Sequence, residues 1–233
     1  MPLVKLIPIV AVILLAWGFH LSPVRLSQPA GVVRAAYLAL GDSYTIGEAV
    51  GPADRYPQQV VGMLNEADPF LLRDPDIIAV TGWTTGNLLE AISMVKPAPT
   101  YRMVSLLIGV NNQYQGRSQT EYRDQFTLLL QKSIWLAGNN PAHVLVLSIP
   151  DYSVTPFGRT RDTTLIATQI DSFNRINYSV AMAYKVNYID VTAESRKAAG
   201  DPTLVAADGL HFSGKEYSNW ARLMEPVMKG MLQ

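Results

Sequence analysis

The stretch that decides the fold is residues 34–44, RAAYLALGDSY, in which an apolar run ends in Gly41, Asp42 and Ser43. The run Arg34–Leu40 has little polar alternation, which is typical of a strand buried on both faces of a sheet. Gly41-Asp42-Ser43-Tyr44 then predicts a tight turn at the carboxyl end of that strand. A strand of this kind needs parallel neighbours, so the rest of the chain should supply more of them.

Four further apolar runs have the same character. They are rich in Val, Ile and Leu, and they cover Asp76–Val80, Met103–Ile108, His143–Ile149 and Asn187–Val191. Amphipathic stretches predict helices over Tyr56–Glu66, Asn87–Val95, Ser118–Leu136, Asp162–Tyr184 and Ser213–Met231. The alternation of strands and helices predicts an α/β fold, a parallel sheet with helices on both faces. In such sheets ligands bind beyond the carboxyl ends of the strands.

The composition excludes several classes of function. The chain has 233 residues, a formal net charge of zero and no cysteine. Zero net charge gives no electrostatic reason to expect nucleic acid as a partner, and the missing thiols exclude a cysteine nucleophile and thiolate metal sites. The three histidines are His20, His143 and His211. A metal site built from histidines is therefore not expected, and a histidine base must come from these three.

The N-terminus has a different pattern from the rest of the chain. Lys5 precedes an apolar run over residues 6–19, as in an export signal. The run is short for a bilayer span, and no clean cleavage site follows it. We predict that residues 1–30 are an export signal or a membrane anchor and that residues 31–233 are the folded domain. The expected location is periplasmic or extracellular, with membrane attachment through this segment left open.

Notable polar residues follow the strands and precede the last helix. The first three predicted strands end in Gly41-Asp42-Ser43, Thr81–Gly86 and Gly109-Val110-Asn111-Asn112, and the loop before the last helix holds Asp208-Gly209-Leu210-His211. Each motif alone fits an ordinary turn or a helix cap. Together they provide a hydroxyl nucleophile, a base and a group to orient the base. Of the histidines, His20 lies in the leader and His143 at the opposite end of the sheet, so His211 is the predicted base.

These four blocks, in this order, resemble those of the SGNH (GDSL-type) hydrolases, from about residue 36 to the C-terminus. The resemblance implies a flavodoxin-like three-layer α/β/α sandwich with a five-stranded parallel sheet. It also implies hydrolysis of a carboxylic ester by a serine nucleophile, with no metal and no organic cofactor. The substrate would be a small-molecule, glycan or lipid ester: a small acyl ester, an O-acetylated carbohydrate or a lysolipid.

The resemblance also implies roles for individual residues. Ser43 matches the nucleophile, and its backbone N–H matches one oxyanion donor. His211 matches the base, Asp208 the residue that orients it, and Asn111 the side-chain oxyanion donor. Asp42 matches a structural residue.

The chain departs from the family pattern in three places. Tyr44 stands where leucine is common, and Asn112 stands where aspartate is usual. The second block is the least regular: by position, the backbone donor of the oxyanion hole is predicted at Thr85, with Gly86 as the alternative.

The sequence leaves the substrate contacts and some functions open. The loop holding Asp151-Tyr152 and Pro156-Phe157 either lines the site or is an ordinary surface loop. Trp83 either lines the pocket or packs beneath the turn in which it lies. An acyltransferase would use the same residues, and a non-catalytic carbohydrate-binding protein could keep the same fold. The intact Ser43, Asn111, Asp208 and His211 set favours the hydrolase. The oligomeric state is not predicted.

Overall fold

A computed structural model describes residues 34–66, 71–94 and 101–233. The predicted export signal or anchor at residues 1–30, including His20, lies outside the described residues. The boundary predicted between that segment and the folded domain therefore stays a prediction. No helix in the described ranges is long and apolar enough to cross a membrane.

The core of the fold is a five-stranded sheet in which all neighbouring strands are parallel. The strands are β1 (Tyr37–Gly41), β2 (Asp76–Ala79), β3 (Met103–Leu107), β4 (Val144–Leu147) and β5 (Asn187–Ile189), in the spatial order β2-β1-β3-β4-β5. All five lie within or overlap the predicted apolar runs. Every residue of β1, β3 and β4 is buried, which requires layers on both faces of the sheet. The predicted three-layer α/β/α fold is confirmed.

The predicted strands extend past the real ones. Residues 34–36 precede β1, and only Ala35 forms an isolated bridge, to Leu72. His143 ends a 3-10 turn before β4. Apolar runs continue beyond the ladder because strand ends also pack into the core, whereas pairing stops where the neighbouring strand stops.

Eight α-helices accompany the strands in the described part of the chain. They are α1 (Ser43–Ile46), α2 (Tyr56–Leu64), α3 (Thr85–Ser93), α4 (Val110–Tyr114), α5 (Gln119–Leu136), α6 (Thr163–Ala183), α7 (Thr192–Ser195) and α8 (Gly214–Leu232). The five long ones match the predicted helices, although α3 begins two residues earlier than predicted. The short helices α1, α4 and α7 were not predicted, because four or five residues are too few to show helical periodicity.

The N-terminal and C-terminal parts of the domain pack on each other through α2 and α8. The side chain of Gln59 donates a hydrogen bond to the carbonyl oxygen of Gly214 at 2.8 Å. The ring of Tyr56 lies 6.2 Å from that of Tyr217 and 6.1 Å from that of Trp220, centroid to centroid. Among the other long helices, α5 packs on both α3 and α6.

The strand order decides where the site lies. The chain runs from β1 outward to β2 and then returns to place β3 on the other side of β1. Between β1 and β3 the winding direction reverses, and a crevice opens beyond the carboxyl ends of the strands at such a point. The short helices α1 and α4, which carry Ser43 and Asn111, begin shortly after these two strands.

Candidate active site

The crevice beyond β1 and β3 holds three of the predicted site residues. A pocket of about 180 Å³, here called the Ser43 pocket, is lined by Ser43, Asn111 and His211 together with Tyr44, Val110, Tyr114, Tyr152, Phe157 and Leu210. Ser43 and His211 are nearly buried. A hydroxyl, an amide and an imidazole from distant parts of the chain thus share one small cavity with apolar walls.

The turn after β1 presents Ser43 at the start of a helix. Asp42 caps α1, and one oxygen of its carboxyl accepts a hydrogen bond from the N–H of Tyr44 at 3.1 Å. The first N–H groups of a helix have no partner within the helix. The N–H of Ser43 is one of these, and within the described ranges nothing accepts its hydrogen. It is therefore available to an oxyanion on the serine's own substrate.

The loop before α8 brings Asp208 onto His211. The carboxyl of Asp208 accepts hydrogen bonds from the N–H groups of Leu210 at 2.9 Å and His211 at 3.0 Å. Its second oxygen lies 2.5 Å from Nδ1 of His211. The cap of α8 is Ser213. Asp208 is thus engaged with the imidazole and does not cap the helix.

The contact between Asp208 and His211, here called the dyad, affects the ionisation of the carboxyl group. Burial by itself would raise the pKa of Asp208, but hydrogen bonds from His211 and Leu210 outweigh it, so that the pKa of this carboxyl is lowered. Asp208 is therefore ionised at neutral pH and accepts a hydrogen from Nδ1. The opposite nitrogen, Nε2, is then the one that can accept a proton.

The turn after β3 positions two consecutive asparagines with different roles. Gly109 adopts φ +133°, and a Cβ there would lie 2.6 Å from the Tyr122 ring, so only glycine fits the turn. Asn111 follows in α4, lines the Ser43 pocket and donates one amide hydrogen to the carbonyl oxygen of Trp83 at 2.9 Å. Its second amide hydrogen remains for a ligand. Asn112 is fully buried and points away to the start of α3.

Thr85 is not placed as an oxyanion donor. Its N–H donates to Oδ1 of Asn112 at 3.0 Å, and its hydroxyl receives a hydrogen bond from Nδ2 of the same residue at 2.7 Å. Neither Thr85 nor Gly86 lines the Ser43 pocket. The N–H of Thr85 already has an acceptor, so the structure does not support Thr85 as the donor, and the alternative at Gly86 stays a prediction.

Gly82, in the same block, also lies outside the lining of the pocket, but its backbone N–H differs from that of Thr85 in having no acceptor among the described residues. Gly82 follows β2, is exposed and has φ +83°, which a side chain would strain. Within the described ranges no acceptor takes its N–H. The next residue, Trp83, is the one whose carbonyl oxygen holds Asn111. The capping box of Thr84 and Asn87 was the missed signal, because it puts Thr85 and Gly86 inside the helix and leaves Gly82 in the turn.

A family model described as "GDSL-like Lipase/Acylhydrolase family" matches residues 39–217, which include every residue of the pocket. The chain belongs to this family. It is a carboxylic ester hydrolase of the SGNH type. No curated protein sequence matches it significantly.

Solved structures share the fold of this GDSL-family chain. TesA superposes with a TM-score of 0.67 and 18% identity over 84% of this chain and 99% of its own. Axe2, an acetylxylan esterase from Geobacillus stearothermophilus, gives 0.61 and 19% over 84% and 96%. LAE5, an α/β hydrolase enzyme from the metagenome of Lake Arreo, gives 0.63 and 16% over 87% and 100%. At this level of identity the likeness shows the fold alone.

Aromatic side chains form the wall of the Ser43 pocket. Tyr152 and Phe157 line it, so the loop after β4 does contribute, whereas Asp151 instead pairs with Arg196 at 2.9 Å. Tyr114 also lines it, half exposed at the rim, and was not predicted because a tyrosine in a short helix shows no distinctive pattern. Trp83 does not line the pocket and packs partly buried against the core.

The rim of the pocket carries a cation stacked on two of these rings. The guanidinium of Arg161 lies 4.5 Å from the centre of the Phe157 ring and 5.3 Å from that of Tyr114. It also donates a hydrogen bond to the Tyr114 hydroxyl at 3.2 Å. Such stacking favours a fixed position for both rings.

The described residues contain no group of three or more His, Cys, Asp or Glu side chains that could hold a metal ion.

Replacing Asn111 by alanine tests the side-chain donor. We expect kcat for an activated ester to fall by about 10²–10³, the usual cost of losing one oxyanion donor, with little change in KM. The measurement is steady-state hydrolysis of p-nitrophenyl butyrate, with Gln115→Ala as a control that removes an exposed amide one turn further along. Equal kcat values for Asn111→Ala and the wild type would contradict the assignment.

Asp42 makes stability depend on pH. Burial raises the pKa of this carboxyl from 3.8 to about 7, although the N–H groups of Tyr44 and Gly109 partly oppose the shift. The folded state therefore binds the proton more tightly than the unfolded state, and stability declines as the pH rises from about 4 to about 7. The shift corresponds to a loss on the order of 4 kcal/mol. Urea unfolding at several pH values should show that the free energy of unfolding of the wild type falls with pH, with a smaller slope in Asp42→Asn. Equal slopes in the two proteins would refute the role of Asp42.

Proposed function

We propose that this chain hydrolyses short-chain carboxylic esters through an acyl-enzyme on Ser43. The observation that carries the proposal is the convergence of Ser43, Asn111 and His211 in one pocket, with Nδ1 of His211 bound to Asp208 at 2.5 Å. Nucleophile, base and orienting carboxylate are the parts that a serine hydrolase needs.

In the first step the Ser43 hydroxyl attacks the ester carbonyl carbon. His211 accepts the hydroxyl proton at Nε2, and the ionised Asp208 stabilises the resulting imidazolium. The C–O bond to the alcohol then breaks, and the alcohol leaves with the proton from Nε2. In the second step water attacks the acyl-enzyme, gives its proton to Nε2 and releases the acid as the Ser43 hydroxyl re-forms.

The oxyanion of each tetrahedral intermediate needs donors that are already in place. We assign this role to the N–H of Ser43, the amide of Asn111 and the N–H of Gly82. The third assignment replaces Thr85 and is supported by the unpartnered N–H of Gly82 and by the bond that ties Asn111 to its neighbour Trp83.

The size of the Ser43 pocket supports a short acyl group. Its volume of about 180 Å³ is below the roughly 300–1,000 Å³ of pockets that enclose drug-sized ligands. Tyr114, Tyr152 and Phe157 close its walls. The alcohol then lies toward the open rim, where exposed Tyr114 offers a flat face suited to a sugar ring. Axe2, which has the same fold, is named for acetylated xylan, so acetylated oligosaccharides belong among the test substrates.

Chain-length preference tests this proposal. The full chain is assayed with p-nitrophenyl acetate, butyrate and octanoate, and we expect kcat/KM to fall by about tenfold or more from butyrate to octanoate. The direction of the change in kcat/KM distinguishes a small closed pocket from an open groove. An open apolar groove would gain about 0.8 kcal/mol for each buried methylene and would therefore favour octanoate. Labelling of Ser43 by a fluorophosphonate checks the nucleophile separately. A wild type that neither hydrolyses esters nor reacts with the probe would refute the proposal.

An acyltransferase would use the same acyl-enzyme, with an alcohol replacing water in the second step. Product analysis in the presence of glycerol or xylobiose separates the two reactions.

We also propose that the protein acts after export, from the pattern of residues 1–30. Cell fractionation of the full chain and N-terminal sequencing of the product test this proposal.

A further inference from the structure

The residue after the nucleophile, Tyr44, lies directly against the base. Its ring centroid is 5.6 Å from that of the His211 imidazole, and the two planes meet at 68°. Edge-to-face contacts at this distance contribute attraction beyond simple burial. A leucine, which is common at this position in the resembling family, could not make such a contact.

Tyr44 is itself held firmly. Its ring is 5.9 Å from that of Phe212 and 6.3 Å from that of Trp220, and both of these partners are fully buried. Its backbone is fixed by the bond from its N–H to Asp42. The side chain of Tyr44 is only 2% exposed. A ring packed in this way can act as a fixed wall for a neighbour.

The orientation of the His211 imidazole requires a second contact of this kind. Its bond to Asp208 is a single contact at Nδ1, about which the imidazole can still tilt. Asp208 is also one-third exposed, so that water reaches this side of the dyad. A second contact on another side of the ring would restrict the direction of Nε2, on which proton transfer depends.

We propose that Tyr44 is a positioning residue that, with Asp208, holds the imidazole of His211 in the orientation required to accept the Ser43 proton. This inference rests on the proposed function and names a residue that deepens it. The contact between Tyr44 and His211 is made by the two rings. The ring carries the role, and the hydroxyl is dispensable for it.

The experiment compares three variants of the full chain. Tyr44→Leu removes the ring, and we expect kcat for p-nitrophenyl butyrate to fall by roughly 10- to 100-fold while KM changes by less than about twofold. Tyr44→Phe keeps the ring and should retain kcat within about threefold. Tyr217→Leu removes a ring from the same aromatic cluster that touches Tyr56 and Trp220 but makes no ring contact with His211. It should lower the melting temperature without lowering kcat. If Tyr44→Leu does not fold, Tyr44→Met takes its place.

A spectroscopic measurement separates positioning from packing. The Nδ1 proton of His211, in its short bond to Asp208, should give a resolved low-field proton NMR signal in the wild type and in Tyr44→Phe. In Tyr44→Leu the signal should broaden or vanish. The proposal would be overturned if Tyr44→Leu kept both the NMR signal and the kcat of the wild type. It would also be overturned if Tyr217→Leu lost as much kcat as Tyr44→Leu. If the wild type lacks ester turnover, the proposed function fails, but the NMR comparison still decides whether Tyr44 orders the imidazole.

Discussion

Ser43→Ala should abolish ester hydrolysis, with kcat for p-nitrophenyl butyrate reduced by about 10⁴–10⁶. The reason is that the hydroxyl forms the bond to the acyl carbon, and Ser43 is the only serine, threonine or cysteine among the described residues that line the pocket. A residual rate above the reaction in water would come from the oxyanion donors, which the substitution leaves in place. Burst kinetics and fluorophosphonate labelling should disappear together with turnover.

The matched control for this variant is Ser93→Ala, which removes an exposed hydroxyl at the end of α3. It should keep wild-type kinetics and labelling. Retention of more than about one hundredth of the activity by Ser43→Ala, in a preparation that unfolds cooperatively, would show that another residue carries the acyl group.

His211→Ala is expected to have an effect of similar size, about 10⁴–10⁶ in kcat. Without the imidazole nothing in the Ser43 pocket can take the proton from the hydroxyl at neutral pH, since the other polar lining groups are neutral hydroxyls and an amide. Because nucleophile and base act as one unit, the double variant Ser43→Ala/His211→Ala should be no slower than either single variant.

His143→Ala is the control for the base, because His143 lies in a turn at the opposite end of the sheet. Its kinetics should match those of the wild type. If the double variant lost the product of the two single losses, the two side chains would act independently and the proposed proton transfer would be wrong.

The sequence predicted the fold well because the decisive features are local. Apolar runs without polar alternation marked five parallel strands, and amphipathic stretches marked the five long helices. The dyad was also predictable, since Asp208 and His211 lie within one turn of each other. The ends of strands were predicted less well, because pairing depends on the length of a neighbour that is distant in sequence.

The parts of the site that escaped prediction depend on contacts between distant segments. Thr85 was assigned by position along the chain, but the side chain of Asn112 occupies its N–H, and this became visible only when α3 and α4 were placed together. The sequence shows only that Tyr44 stands where leucine is common. Its contact with His211 joins the first strand's turn to the last helix's loop, and no local pattern encodes such a contact.

The arrangement of the chain has a consequence for biosynthesis. The nucleophile follows the first strand, whereas the base is delivered by the loop that α8 anchors against α2. A chain still emerging from the ribosome therefore has its serine but no partner to activate it. The pair of Ser43 and His211 is complete only when the last helix has docked, so an unfinished chain should lack ester hydrolysis.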